Sequence, residues 1–444
     1  MNKQGSMKKF SFVISLFCSV FLVNGQEILS IDNALQIALE NNYDIKVIEK
    51  DLEIAENNTS VYNSGYLPTA SVTSGAGYNN NSSLLETADG TKIEAHNVVS
   101  TNYNASLGVN YVLFDGLNRK YSYKRLKEVY NLTELQARQV IEGTMLSLYL
   151  AYFEVARLSE NENNQKQTLD ISKRRLLRAE YASSYGQNTK LDVLNAEVDV
   201  NNDSINYLDS QRQLTNAKRN LNVVLGREAD ITSFNVDTDV QYAIDLNLQV
   251  LLQNALDNNV LLLQVNKGLE ISDYDVSISK SGWMPTVSAN GSYGWNKNIN
   301  DEPVGFSFAN SQQYGLNAGV SLGWNIFDGG RTKTNVQNAK IAMDAQEIEK
   351  EQFTQELTRD VYNAWEFYQN ALFKLQVQET NVQTNQRNFE RTNEQYKLGQ
   401  ISSIDFRLAQ VNLLNAERDL SQSKYDAKNA EYQLLYLAGE LLNN

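Results

Sequence analysis

Cysteine, histidine and proline are nearly absent from this chain. Its 444 residues include one cysteine, one histidine and three prolines. Cys18 lies in an apolar N-terminal stretch. The rest of the chain therefore has no thiol for a disulfide, a nucleophile or a thiolate metal site. A single histidine, His96, in an Asn-rich segment leaves no histidine-based triad or metal centre. No glycine loop of the phosphate-cradling type occurs. The carboxylates are spread along helical patterns, as on solvated helix faces. Enzyme chemistry has no foothold here, and no cofactor or metal is expected. Basic side chains are also in deficit. Lys plus Arg number 39 against 53 Asp plus Glu, for a net charge of −14, which argues against nucleic acid as a partner. Beyond the N-terminus no apolar run reaches the ~20 residues of a membrane-spanning helix.

The N-terminal stretch reads as a secretory signal over residues 1–25. Lys8 and Lys9 precede the apolar run Phe10–Val23, and Asn24-Gly25 leads to a cut before Gln26. Phe17 stands before Cys18, where a lipid-attachment signal has a small residue, so lipidation is not expected.

The most informative stretch is Tyr314–Phe327. Tyr314, Leu316, Ala318, Val320, Leu322, Trp324 and Ile326 alternate with Gly315, Asn317, Gly319, Ser321, Gly323 and Asn325. Side chains alternate across a strand, so one face is apolar and the other polar. No charge interrupts it, and aromatics stand near its ends. That suits a tilted membrane strand, which needs ~9–11 residues, with Tyr314, Leu316, Val320, Leu322 and Trp324 toward lipid. A half-buried strand of a soluble sandwich shows the same alternation. Three further strands are expected, at Thr69 to about Tyr78, at Tyr103–Phe114 and from Thr286, so the chain carries two hairpins. Asp89-Gly90 and His96 fall in a polar loop of the first hairpin, and Pro303 in that of the second.

The chain is also duplicated. A-L-E-N-N at Ala38–Asn42 returns as A-L-D-N-N at Ala255–Asn259, and G-Y-L-P at Gly65 returns as G-W-M-P at Gly282, both 217 residues on. F-D-G at Phe114 returns at Phe327, and G-Q-N-T-K-L-D at Gly186 returns as G-Q-I-S-S-I-D at Gly399, both 213 residues on. Such spacing means two similar structural units, here 26–230 and 247–444 with a linker at 231–246. In each, a helix of about 35 residues (first Ser30–Ser64) runs to the proline. After each F-D-G a proline-free helical pattern continues for some 67 residues, from about Leu117 and from Arg331, roughly 100 Å at 1.5 Å per residue. A glycine turn reverses the chain, and a return helix ends before Gly226 or Gly439. The shorter helices, stacked end to end, match the long one in length.

Four strands cannot close a barrel. An open edge in lipid leaves backbone groups unpaired at several kcal/mol each. Copies must therefore pool their hairpins, and two, three or four copies all satisfy that argument.

The A-L-x-N-N start, the [YW]-[LM]-P junction, the F-D-G exit, the G-Q-x-x-x-[LI]-D tip and the duplication itself, taken in order, resemble the TolC family of outer-membrane efflux and export ducts. The resemblance covers the chain beyond its signal. It implies an α+β membrane duct: a homotrimer with a 12-stranded β-barrel in the outer membrane of a Gram-negative bacterium, continued by a long α-helical barrel across the periplasm. Passive export of small molecules or proteins is implied, with a periplasmic adaptor and an inner-membrane pump as partners. By position from the tip glycine, Asp405 resembles an entrance aspartate that narrows the tunnel and favours cations. Asp192 and Tyr396 resemble a contact pair that holds it closed. Leu408 and Ile401 depart from the family pattern, where a second acid and a latch arginine are found in some members. Thr189-x-x-Asp192 and Ser402-x-x-Asp405 also read as capping boxes, a role compatible with lining a pore. The competing functional reading is a periplasmic coiled-coil adaptor or spacer with a soluble β head, which has no need of an uncharged, aromatic-ended band in all four strands.

Overall fold

The computed structural model describes residues 28–187, 189–243, 245–301 and 308–443. The expected N-terminal signal, Cys18 and Pro303 lie outside the described residues.

The two units have the same order of elements. In the first, α1 (Ile31–Asn41) and α2 (Tyr43–Asn58) lead to β2 (Thr69–Glu86) and β3 (Lys92–Asp115). The long helix α3 (Asn118–Ser184) and the return helix α4 (Lys190–Val224) follow. In the second, α5 (Leu248–Asn258), α6 (Val260–Ser281), β5 (Thr286–Asn300), β6 (Asn310–Gly323), α7 (Arg331–Lys397) and α8 (Ser403–Ala438) repeat the scheme. Short strands β1 (Ile28–Leu29) and β4 (Asn235–Val236) pair in parallel and tie the chain start to the inter-repeat segment. Both long helices have 67 residues, as the unbroken apolar spacing predicts.

The helix expected over Ser30–Ser64 is broken at Asn42, and its second copy at Asn259. The cause is local and the same in both. The Asn42 side chain caps α2, its Oδ1 accepting from the amides of Asp44 and Ile45 at 2.8 and 3.2 Å. Its Nδ2 donates to the Val224 carbonyl at the end of α4, at 2.9 Å. Asn259 does likewise with Leu261, Leu262 and the Leu437 carbonyl. Thus α4 stacks end-on against α2, and α8 against α6, while α1 and α5 turn aside. The stacked column omits α1, which the sequence reading had included. Gly226 and Gly439 allow the close approach: a Cβ on Gly226 would lie 2.3 Å from the Asn41 carbonyl oxygen, and one on Gly439 2.6 Å from that of Asn258.

The core lies at this mid-height joint. Leu148, Val155, Leu221, Ala255 and Leu434 are fully buried there. The inter-repeat segment is strapped over it by polar contacts. The Tyr152 hydroxyl donates to Leu29 O at 2.7 Å and accepts from the Asp237 amide at 2.9 Å. Burial raises the pKa of that hydroxyl to about 12, so it keeps its proton across the physiological range.

The four long strands form one antiparallel sheet in the order β2-β3-β5-β6. Each strand continues a helical column: α2 with α4, α3, α6 with α8, and α7. The chain is therefore a wall four strands wide above and four helices wide below, with β2 and β6 as free edges. Three strands differ in their bounds from the sequence reading. The first hairpin is longer, because the Asn-rich stretch continues the ladder to Glu86↔Lys92 and Asp89-Gly90 forms its turn. His96 accordingly lies on a strand, not in a loop. Strand β6 runs from Asn310 to Gly323, so Trp324, Ile326 and Phe327 lie just past it.

Candidate functional site

The cross-strand register sorts the sheet into two unlike faces. Val72, Leu107, Tyr293 and Leu316 form one row across all four strands. Ala70, Val109, Gly291 and Ala318 form the next, and Ser74, Ala105, Trp295 and Tyr314 another. Val320 pairs with Ala289, and Leu322 with Val287, on the same face. The opposite face carries Ser71, Gly108, Ser292 and Asn317, then Thr73, Ser106, Gly294 and Gly315. Leu316 and Val72 are each 75% exposed, and among the described residues nothing covers the apolar face. The band is bordered by Trp295 and Tyr314 at one end. At the other, Trp324 has left the strand but stays at the border, its Nε1 donating to the Trp283 carbonyl at 3.1 Å. Uncharged apolar rows between aromatic borders fit a bilayer-facing surface, and the Gly/Ser/Asn face fits contact with water.

The F-D-G motifs make the joint between sheet and helices. Asp115 Oδ2 accepts from the Arg119 amide and Nε at 3.0 Å, starting α3. Asp328 Oδ2 accepts from the Thr332 amide and hydroxyl at 2.8 and 2.6 Å, starting α7. The Thr332 bonds hold the Asp328 carboxyl below the ordinary carboxylate range. A Cβ on Gly116, in left-handed backbone (φ 66°), would lie 2.7 Å from Met284 Cβ. The F-D-G of one repeat therefore locks onto the W-M-P of the other. The equivalent Gly329 faces open space.

At the far end both helical hairpins turn identically. Gly186 and Gly399 adopt φ values of 74° and 71°. The following Gln187 and Gln400 amides donate back to Ala182 O and Gln395 O at 2.8 and 2.9 Å, a Schellman closure. Capping boxes then start α4 and α8. Thr189 N and Oγ1 donate to Asp192 Oδ2 at 3.0 and 2.8 Å. Ser402 N and Oγ donate to Asp405 Oδ2 at 3.3 and 2.7 Å. Asp405 thus lies in the first turn of α8, with its carboxylate exposed. Leu408, one turn on, is also exposed. Tyr396 stacks on Phe406 at 4.7 Å, and the Arg178 guanidinium lies 5.0 Å over its ring. Among the described residues no hydrogen bond joins Tyr396 to Asp192 within one chain.

Above the tip is a polar cluster that sequence spacing does not reveal. Arg407 on α8 binds the buried Asp203 of α4 through two bonds of 2.7 Å. Asp203 also accepts from Ser172 of α3 at 2.6 Å, and Gln410 bonds Ser172 and the Thr168 carbonyl. Asp199 faces Arg407 at 3.6 Å and pairs with Arg175. Burial opposes the Arg407 charge, but Asp203 and Asp199 outweigh it and the pKa is raised. The cluster clamps α8 of the second repeat to α3 and α4 of the first. Its members lie on three helices, 31 and 204 residues apart, so no linear motif could have announced it.

A family model described as outer membrane efflux protein matches residues 34–227 and again 251–440. The two matches reproduce the duplication and its offsets of 217 and 213 residues. The outer membrane protein TolC of Vibrio cholerae is 22% identical over 301 residues, 68% of each chain. The outer membrane efflux protein BepC of Brucella suis is 20% identical over 423 residues, 95% of this chain and 88% of its own. The Campylobacter jejuni CmeC outer membrane channel superposes with a TM-score of 0.74 at 17% identity, over 93% of this chain and 86% of that one. With the family model matched over most of its length, this chain belongs to the outer membrane efflux protein family: it resides in the outer membrane of a Gram-negative bacterium and extends into the periplasm.

Proposed function

We propose that three copies close this four-column wall into a duct. It has a 12-stranded barrel in the outer membrane and a helical tunnel below, through which small molecules or proteins leave the cell passively. The observation that carries this reading is the sheet: two free edges, one uncharged apolar face and one polar face on every strand. Joining β6 and α7 of one copy to β2, α2 and α4 of the next pairs both edges and closes the ring without a new kind of contact. Exposed Ile348, Phe367 and Phe373 on α7, and Val47, Ile205 and Leu208 on α2 and α4, suit that seam. The outer-membrane efflux assignment of the family supports an exit duct fed by an inner-membrane pump through a periplasmic adaptor.

The tip is the gate in this reading. Three Asp405 carboxylates converge on the axis, where they repel one another and attract cations. Their capping role continues alongside. In the ring, α7 of one copy neighbours α4 of the next, and a closing contact of Tyr396 with Asp192 forms across that seam. Planar-bilayer recordings test the reading. The purified protein should give discrete, cation-selective channels, and Asp405→Asn should shift the reversal potential under a salt gradient toward zero selectivity. Release from membranes by carbonate without detergent, and bilayers left unaltered by the protein, would overturn it.

A further inference from the structure

A second charged feature at the tip shares Tyr396 with this scheme, but its arginines have no part in it. Between α3 and the α7–α8 hairpin lies a cavity of about 360 Å³. Its polar wall is basic: Arg174, Arg175 and Arg178 from α3, with Lys397 beside them. Its apolar wall is aromatic: Phe389, Tyr396 and Phe406. No carboxylate lines it, in a chain whose net charge is −14.

The state of each cation is telling. Lys397 is taken up by Glu394 at 2.8 Å. Arg178 donates to the Lys397 carbonyl at 2.7 Å and lies over the Tyr396 ring, with no carboxylate partner among the described residues. Arg174 has no hydrogen-bond or ion-pair partner among the described residues. Arg175 is the most informative. It is only 3% exposed, its Nη2 pairs with Asp199, and its Nε and Nη1 are buried without a partner. Those two nitrogens are closed to solvent, so Arg175 adds positive charge behind the cavity wall, while the exposed Arg174 and Arg178 present donors at its surface. Planar guanidinium donors match carboxylate and phosphate oxygens bidentately.

We infer that this cavity binds a small organic anion, its carboxylate or phosphate held by Arg174 and Arg178, with the Arg175 charge behind them, and its apolar body against Phe389, Tyr396 and Phe406. The ligand joins α3 of the first repeat to α7 and α8 of the second, so it fastens the two repeats together at the tip. The site lies within one chain and is complete without a neighbouring copy. Binding is a property of the purified protein, and its test is independent of the export reading.

Phenyl phosphate is a suitable probe, with inorganic phosphate and benzylamine as comparisons, in calorimetric titrations of the detergent-solubilised protein. The native protein should bind phenyl phosphate saturably at one site per chain, more tightly than inorganic phosphate, and less tightly as salt is raised. Benzylamine, a cation of similar shape, should not bind. Arg174→Gln with Arg178→Gln, both at exposed positions, should weaken phenyl phosphate by about tenfold or more, as expected for loss of charge-assisted bonds. Phe389→Ala should abolish the advantage of phenyl phosphate over inorganic phosphate while leaving inorganic phosphate unchanged. Equal binding of benzylamine, or unaltered phenyl phosphate affinity in the double arginine variant, would overturn the assignment.

Discussion

The Asn42 carboxamide joins two helices end to end: its Nδ2 donates to the Val224 carbonyl at 2.9 Å while its Oδ1 caps the helix that begins at Tyr43. Asn259 and Leu437 repeat the relationship at 3.0 Å. Asn42→Ala loses both the cap and the bond to Val224, and should cost about 2 kcal/mol. Asp is as good an N-cap as Asn, yet Asn42→Asp should not restore stability. It has no donor for Val224 and sets a carboxylate against a helix C-terminus. The helical circular dichroism of the solubilised protein, followed through heating, would show both variants melting earlier. Full recovery in Asn42→Asp would mean that capping alone matters.

Glycines of like conformation should differ sharply in tolerance. Gly226 and Gly399 both have left-handed backbone, at φ 65° and 71°. Gly399→Ala meets open space and should cost only the conformational penalty of roughly 1–2 kcal/mol. Gly226→Ala adds a methyl 2.3 Å from the Asn41 oxygen and must push α4 away from the joint. Far lower yield and a lower melting temperature are expected for Gly226→Ala than for Gly399→Ala.

The two sheet faces should separate by charge. Leu316→Arg places a cation in the centre of the apolar band, at a cost of about 2–4 kcal/mol near a bilayer midplane. Asn317→Arg, its neighbour on the polar face, should be tolerated. Heat-modifiable mobility on gels after reconstitution into lipid vesicles reads assembly, and equal assembly of the two variants would reverse the face assignment.

The Arg407–Asp203 clamp should respond as a buried ion pair does. Asp203→Asn leaves the Arg407 charge only Asp199, at 3.6 Å and shared with Arg175, and should lower stability by up to about 3–5 kcal/mol. Asp203→Leu combined with Arg407→Met should recover most of that loss, because apolar residues of similar volume avoid the unpaired charge. Melting midpoints of the two variants provide the comparison.

Much of this architecture was legible because it rests on periodicity. Proline-free apolar seams announced helices α3 and α7, and alternation around Leu316 announced the sheet faces. The duplicated landmarks aligned the two units. What escaped depends on partners remote in sequence. The break at Asn42 has no proline or glycine to mark it, and the apolar seam of Ala38, Ile45 and Ala55 continues through it. Its second partner, Val224, lies 182 residues away. The outer part of the first hairpin was missed because Asn79–Ser83 lacks apolar alternation; the ladder is propagated from the paired strands below. Trp324 follows the alternation of β6 but lies past its end, because the partner strand β5 begins only at Thr286, opposite Gly323. Asp192 and Asp405 could be read as caps from spacing alone, since that interaction is local, whereas their neighbours across a subunit seam are set by assembly.

The central claim is that identical copies close head to tail into a ring of three. The internal repeat says which residues should meet. Within one chain, Lys267 Nζ of α6 donates to Glu128 Oε2 of α3 at 2.9 Å, second repeat to first. Moving these positions by the repeat offsets gives Lys50 on α2 and Ile341 on α7, both exposed, on the two edge columns of the wall. In the ring Ile341 of one copy should face Lys50 of the next. The chain's one native cysteine, Cys18, lies in the apolar N-terminal stretch, so introduced cysteines can be cross-linked selectively. With a short thiol cross-linker applied to membranes, Ile341→Cys combined with Lys50→Cys should give covalent species that grow to three copies and stop. Glu128→Cys with Lys267→Cys should link only within one chain. Ladders beyond three copies, or no intermolecular product from the Ile341 and Lys50 pair, would contradict the closed trimeric duct.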